Sequence, residues 1–250
     1  MQIITKIIVW IFFSFSGLAL AQQQNFIIGV QEPLYYSVEA PNNRTFNGYA
    51  RELFDAFAQY KGYRFEYRVL PINELFRQLI AREVDFKYPD NPYWQYSLKS
   101  GVRLAYSDPI APYTDGVFVA HNNLGKGLAN IKKLGIIKGF TPFELEHLIQ
   151  AGEINVIECE SIKQLIEKAF AGKVDGIYGS VDVITAQLAN INNINSLVFD
   201  PQLPYLTQSY TLSSATRPRV LEDLNVFLKT NATQLNQLKK KYVIESSTGF

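Results

Sequence analysis

Residues 84–94, Val-Asp-Phe-Lys-Tyr-Pro-Asp-Asn-Pro-Tyr-Trp, decide how this chain is read, together with Tyr-Ser-Asp-Pro at 106–109 and Gly-Val-Phe-Val at 116–119. Residues 84–88 read as a buried strand running into a loop dense in Pro, Asp, Asn and aromatic rings. The turn at 106–109 then feeds a second strand, 115–120. In an open α/β sheet the loops leaving strand C-termini form the ligand crevice. This loop holds ring faces, a cation at Lys87, a carboxylate at Asp90 and an amide at Asn91, the mixture a small-molecule pocket uses. An ordinary surface loop can have the same composition, so the surroundings must decide.

Strands and helices alternate outward from that stretch. Residues 26–30 and 65–70 read as strands. Between them Gly48 opens a helix over 49–60, with Leu53, Phe54 and Phe57 on one stripe, and Pro71 opens another in which Leu75, Phe76, Leu79 and Ile80 recur at helical spacing. A turn-rich break at Asn122-Asn123 begins a second block, with strands expected at 134–138, 154–157, 174–178 and 197–199. Thr141-Pro142-Phe143-Glu144 reads as a capping box with Pro at the first helical position, and Ser161 with Gln164 as a second one. Ser180 is placed to cap a helix running through Leu188. The chain then runs extended over 205–212 and ends in helices at 218–229 and 232–242. Such alternation predicts an α/β architecture with mostly parallel strands.

Residues 1–21 read as a signal peptide. Lys6 is a basic n-region, residues 7–20 are almost wholly apolar, and Ala19-Leu20-Ala21 is the small-x-small pattern that precedes cleavage. The apolar run is too short, and too soon followed by Gln22-Gln23-Gln24, for a membrane span. Removing Lys6 leaves 23 basic against 23 acidic residues, a balance with no electrostatic footprint for nucleic acid or an anionic membrane surface. Cys159 is the one cysteine, so no intrachain disulfide is available, and a small core role is expected for it. His121, His147 and Cys159 lie too far apart in sequence to suggest a metal site, and neither metal nor cofactor is expected.

Taken in order, the segments resemble a divergent periplasmic solute-binding protein of the family 3 type, the type II periplasmic binding fold associated with polar amino acid uptake. The resemblance runs through Ile27-Ile28-Gly29-Val30, Glu32-Pro33-Leu34-Tyr35-Tyr36 and Gly48-Tyr49-Ala50-Arg51-Glu52-Leu53-Phe54. It continues with Val84-Asp85, Tyr106-Ser107-Asp108-Pro109, Leu134-Gly135-Ile136-Ile137-Lys138-Gly139 with Thr141, and Ala171-Gly172-Lys173-Val174-Asp175-Gly176. It implies two lobes, each a central, mostly parallel sheet flanked by helices, joined by two crossing hinge strands. Lobe 1 would be residues 22–119 plus 206–250 and lobe 2 residues 120–205. A ligand would lie in the cleft, enclosed by hinge closure, with N–H groups at the start of the Thr141 helix ready for an anion.

The amino acid clamp of that family is not matched. Its carboxylate-binding Arg falls seven residues before the Ser of the Ser-x-Pro turn, which is Ser100 here, with Lys99 and Arg103 off register. Its ammonium-binding Asp falls five residues after the Val-Asp aspartate, which is Ser180 here, with Asp182 two positions on. A serine cannot replace a bidentate arginine–carboxylate pair. Tyr88, Asp90, Asn91 and Trp94 are therefore expected to touch ligand, with Tyr36 and Tyr49 as opposing walls. Arg103 is a displaced anchor or a solvated charge, and Asp182 an ammonium ligand or a first-turn helix carboxylate. Thr141 is expected to cap its helix and to offer its hydroxyl or nearby amides to a ligand. Lys87 faces the cleft only if strand alternation sends Phe86 and Tyr88 the other way.

The resemblance thus implies an exported, monomeric binding protein that takes a small polar solute and serves an ABC-type permease or a sensor. The alternatives are an accessory sensory module without a transport role, or a dehydratase-like enzyme on the same scaffold using Glu32, Asp90 or Asp182.

Overall fold

The computed structural model describes residues 23–31, 46–191 and 196–242. The expected signal peptide, Glu32 and Tyr36 lie outside the described residues.

Ten strands form one sheet of two halves. In the first, β1 (Asn25–Gln31) is flanked in parallel by β2 (Arg64–Leu70) and β3 (Phe86–Asp90). In the second, β6 (Lys133–Ile137) is flanked in parallel by β7 (Asn155–Cys159) and β8 (Gly176–Ser180). Two long strands, β5 (Ala111–Ala120) and β10 (Leu206–Ser214), run between the halves. Each divides its length: β5 pairs β10 over residues 111–115 and β8 over 115–119, and β10 pairs β3 near Thr211 and Ser213. Short strands β4 (Ala105–Tyr106) and β9 (Leu197–Phe199) add to β10 and β5. Mostly parallel half-sheets, crossed by two antiparallel strands and covered by helices, bear out the α/β two-lobe reading.

The helices form where apolar spacing predicts them. In α1 (Tyr49–Lys61), Leu53, Phe54 and Phe57 are fully buried. Each such side chain contributes about 1.5–3 kcal/mol relative to exposure. The helix begins after Gly48, whose φ of 96° favours glycine, and ends at the left-handed Gly62. In α2 (Ile72–Ile80), Leu75, Phe76 and Leu79 pack onto the sheet, while Ile80 is half-buried. In α5 (Ile162–Phe170) the Ser161 half of the cap is formed as read, its Oγ accepting from the Gln164 N–H at 3.2 Å, while Gln164 Oε1 accepts from the N–H of Glu160, one residue before Ser161, at 2.9 Å. The first core collects Phe26, Ile28, Phe54, Phe86 and Tyr88 with Leu224 and Phe227 of α7 (Pro218–Thr230), and α8 (Ala232–Lys241) packs beside it through Leu235. Two further clusters cover the second half-sheet, and Cys159 is buried in one of them.

The two Val-Asp segments have the same local role. Asp85 Oδ2 accepts from the Ile27 N–H of β1 at 2.9 Å. Asp175 Oδ2 accepts from the Lys132 and Lys133 N–H groups entering β6 at 2.9 and 2.7 Å. Each carboxylate, just ahead of its own strand, ties that strand's entry to the backbone of a neighbouring parallel strand.

Two expectations need correction. The strand read at 84–88 lies two residues later, so Asp90 ends β3 inside the sheet instead of belonging to a loop. Pro89 has no N–H to give, and the ladder to β10 passes over it, pairing Asp90 with Thr211 and Lys87 with Ser213 across an irregularity. The second correction concerns Thr141. It caps no α-helix: a single 3-10 turn, Phe143–Leu145, precedes α4 (Glu146–Gln150), and neither has a side-chain cap. Its hydroxyl is instead engaged with the opposite lobe.

Candidate functional site

β3 sets the site by alternation. Phe86 and Tyr88 enter the first core, so Lys87 emerges on the opposite face, against α2 and the second lobe. A narrow cavity of about 20 Å³ lies there, lined by Gln31, Ile72, Phe76, Lys87, Trp94, Gly139, Phe140 and Thr141. That is room for about one water molecule. A wider groove of about 390 Å³ adjoins it, sharing Gln31 and Ile72 and reaching Ile137, Lys138 and Ser161 on the second lobe.

The lobes meet across this cavity through a few named contacts. The Gln95 backbone N–H donates to Thr141 Oγ1 at 3.2 Å, and Gln95 Nε2 donates to the Gly139 carbonyl at 2.8 Å. Trp94 and Phe140 rings lie 6.5 Å apart, and Tyr93 and Phe143 rings 5.1 Å apart. Gly139, at φ 86°, lies against Asn73 of α2 so closely that a Cβ would collide with the Asn73 side chain.

Behind the cavity is a buried charge cluster. Asp90 Oδ1 lies 3.3 Å from Lys87 Nζ and 3.5 Å from Lys99 Nζ, on the short helix α3 (Tyr96–Lys99). Asp90 also accepts from Ser213 Oγ at 2.6 Å and from the Asn91 N–H at 2.8 Å. Lys99 donates to the Asn91 carbonyl at 2.7 Å, and Lys87 to the Pro89 carbonyl. The Lys87 ammonium sits 4.0 Å from the Phe76 ring centroid and 5.5 Å from that of Trp94, within cation–π range. Burial pushes the Lys87 amine down to about 8, against the opposing pull of Asp90 and with the help of Lys99. Burial lowers Lys99 as well.

The expected ligand residues divide sharply. Trp94 and Thr141 line the cavity. Asp90 and Asn91 are buried behind it, Asp90 as counter-ion and Asn91 closing its own turn by accepting from the Tyr93 N–H at 3.0 Å. Tyr49 and Tyr88 belong to the first core: the Tyr49 hydroxyl donates to the Ile110 carbonyl, and Tyr88 packs edge-on to Phe54. Arg103 is exposed between α3 and β4, and Asp182 is exposed in the first turn of α6 (Val181–Asn190). Ser180 is buried at the end of β8 and makes no side-chain cap to α6; its register partner on β5 is Asp115.

Several residues escaped the sequence reading. Gln31, Phe76, Phe140 and Lys99 come from separate elements and share no motif. Asp115 had a visible signal, a lone acid inside a buried strand. It is 1% exposed, its Oδ1 has no hydrogen-bond partner, and burial pushes its carboxyl up to about 8. Tyr113, two residues before it on the same face of β5, stacks on Tyr210 at 4.4 Å and lies 5.4 Å from Trp94.

No family profile matches the sequence, and no curated protein matches it. Solved structures do. An ABC uptake transporter substrate-binding protein from Streptococcus pneumoniae with bound histidine is 12% identical, with a TM-score of 0.70 over 89% of this chain and 93% of that one. The arginine-, lysine-, histidine-binding protein ArtJ from Geobacillus stearothermophilus is 17% identical, with a TM-score of 0.68 over 90% and 97%. The GluR0 ligand-binding core in complex with L-glutamate is 12% identical, with a TM-score of 0.68 over 88% and 99%. The fold is that of the type II periplasmic binding proteins.

Proposed function

We propose that this chain is a divergent family 3 solute-binding protein, exported and cleaved after Ala21, that captures a small polar, amino-acid-like molecule between its lobes for an ABC-type permease. The observation that carries the reading is the cavity itself. Trp94 and Lys87 from one lobe face Phe140 and Thr141 from the other, and the Gln95–Thr141 hydrogen bond closes over them. The similar solved structures bind amino acids and include an amino acid ABC transporter's substrate-binding protein, which supports the solute class and the transport role.

In this reading lobe 1 comprises residues 22–119 and 206–250 and lobe 2 residues 120–205, with β5 and β10 as hinges. Closed, the cavity admits a water-sized occupant, so a solute enters when Trp94 and Phe140 part. It then stabilises the closed form by its differential affinity for that form. Trp94, Thr141, Lys87 and Gln31 contact the solute. In this reading the protein acts as a monomer and is no enzyme: of the candidate acids, Asp90 is engaged with Lys87, Lys99 and Ser213 and Asp182 does not line the cavity, while Glu32 lies outside the described residues.

A thermal-shift screen tests this on protein recovered from the periplasm, against amino acids, organic acids, amines, polyamines, short peptides and sugars. A ligand at a thousand times its Kd adds about 4 kcal/mol, which raises the midpoint by roughly 8–16 °C at this size. Absence of any shift across the panel contradicts solute binding, and an N-terminus at Met1 on that protein contradicts export with cleavage.

A further inference from the structure

We infer that the cleft takes a small organic monoanion without an ammonium group, its carboxylate set against the Lys87 ammonium; the inference rests on the solute-binding reading above. Two buried lysines share one aspartate: Lys87 and Lys99 lie 3.3 and 3.5 Å from Asp90 Oδ1, and all three residues are nearly inaccessible to solvent. The cluster therefore holds one positive charge beyond its internal balance. An unmatched buried ion is destabilising, and a bound anion removes that penalty.

Of the two lysines, only Lys87 borders the cavity. An ammonium has three donors, and the polar partners of Lys87 are the Pro89 carbonyl and Asp90. One donor is left for an acceptor on the cavity side, beside the rings of Phe76 and Trp94. Lys99, by contrast, is turned to Asp90 and the Asn91 carbonyl.

Among the described residues, the cavity wall contains no carboxylate. Gln31 and Thr141 supply neutral polar groups, and Ile72, Phe76, Trp94 and Phe140 supply apolar surface. In the adjoining groove the charges compensate one another, Arg77 with Glu74 at 2.7 Å and Lys138 with Glu160 at 3.1 Å. Asp115 and Asp182 do not reach the cavity wall. Among the described residues a zwitterion's ammonium thus meets no counter-charge at the wall, whereas a carboxylate with an apolar body meets Lys87 at one end and rings along the rest. The lowered Lys87 pKa agrees, because a nearby anion would draw it back up.

Matched triplets test the inference by titration calorimetry at pH 7 on protein recovered from the periplasm. Each contains an acid, its 2-amino acid and its amide: propionate, alanine and propionamide; butyrate, 2-aminobutyrate and butyramide; phenylacetate, phenylglycine and phenylacetamide. The expected result is that the acid of at least one triplet binds tenfold or more tighter than its two analogues. Lys87→Gln should then weaken it at least thirtyfold, and Lys87→Arg by less. Should Lys87→Gln fail to fold, the wild-type protein still decides: at pH 8 acid binding should take up protons, as Lys87, faced by Asp90 and Lys99, regains its charge.

Tighter binding of the amino acid or the amide, an unaffected Lys87→Gln variant, or absent proton uptake overturns the inference. If the triplets all fail while another class in the wider screen binds, the monoanion is wrong and the solute-binding reading stands. If nothing in either experiment binds, both fall.

Discussion

Gln95 and Thr141 are joined across the cleft by a hydrogen bond from the Gln95 backbone N–H to Thr141 Oγ1, 3.2 Å long, between residues 46 positions apart. Because the donor is backbone, its acceptor can be removed without disturbing lobe 1. Thr141→Val keeps the shape of the side chain and deletes the acceptor. A hydrogen bond of this kind contributes about 0.5–1.5 kcal/mol net, so ligand affinity should fall roughly threefold to tenfold while the ligand-free unfolding midpoint stays nearly constant. Calorimetry and a melting curve on the same preparation check both halves.

Trp94 touches both lobes, lying 5.4 Å from Tyr113 and 5.9 Å from Tyr210 within lobe 1 and the hinge, and 6.5 Å from Phe140 across the cleft. Aromatic pairs add about 0.5–1.5 kcal/mol each beyond area burial. Trp94→Ala should therefore cost both stability and affinity, and Trp94→Phe should recover most of the stability. Affinity in Trp94→Ala should fall at least tenfold, measured at a temperature where the variant is fully folded.

Asp115 and Lys87 make opposite contributions to the pH dependence of folding. The Asp115 carboxyl, raised to about 8 by burial, keeps its proton in the folded state while the unfolded chain releases it above about 4. Stability from this group is therefore lost as pH rises from about 4 to about 8. Lys87, lowered to about 8, binds its proton more weakly when folded, so its contribution improves as pH rises from about 8 to about 10. Urea titrations across pH should show a shallower decline between 4 and 8 in Asp115→Asn, and a shallower rise above 8 in Lys87→Met.

Asp85 satisfies the Ile27 N–H at 2.9 Å and pairs with Arg217 at 2.8 Å. The two interactions differ in weight. Arg217 is half exposed, and an exposed ion pair contributes about 0–1 kcal/mol. Losing the acceptor for a strand N–H costs about 1–3 kcal/mol. Asp85→Ala should thus lower unfolding free energy by more than Arg217→Ala does, and by more than Asp175→Ala, whose two N–H partners at the entry to β6 are exposed and can turn to water.

The lobes were legible because their signals are local. Helical stripes such as Leu53, Phe54 and Phe57, the Ser161–Gln164 cap and the repeated Val-Asp segments each specify an element within a few residues. The orientation of Lys87 was also within reach, since apolar neighbours at Phe86 and Tyr88 oblige the residue between them to face away. The cavity wall was not legible: Gln31, Phe76 and Phe140 meet only because β1, α2 and the segment after β6 converge, and Lys99 of α3 joins the charge cluster behind them. Thr141 misled for a definite reason. Its capping-box pattern was genuine, but Pro142 and Phe143 turn the chain into a 3-10 segment, and the hydroxyl finds its donor in the opposite lobe. Tyr88 was expected to touch ligand and Tyr49 to form a wall, yet strand alternation at Tyr88 and the apolar face of α1 at Tyr49 place both in the core.

Trp94 offers the most direct measurement of the central claim, because the only other tryptophan, Trp10, lies in the segment expected to be removed on export. Its fluorescence in protein recovered from the periplasm should change saturably with one solute class. Thr141→Val should shift the midpoint of that change to higher concentration, leaving its amplitude in place. A Trp94 signal indifferent to every solute in the panel, in protein shown to be folded, would contradict a ligand site between these lobes.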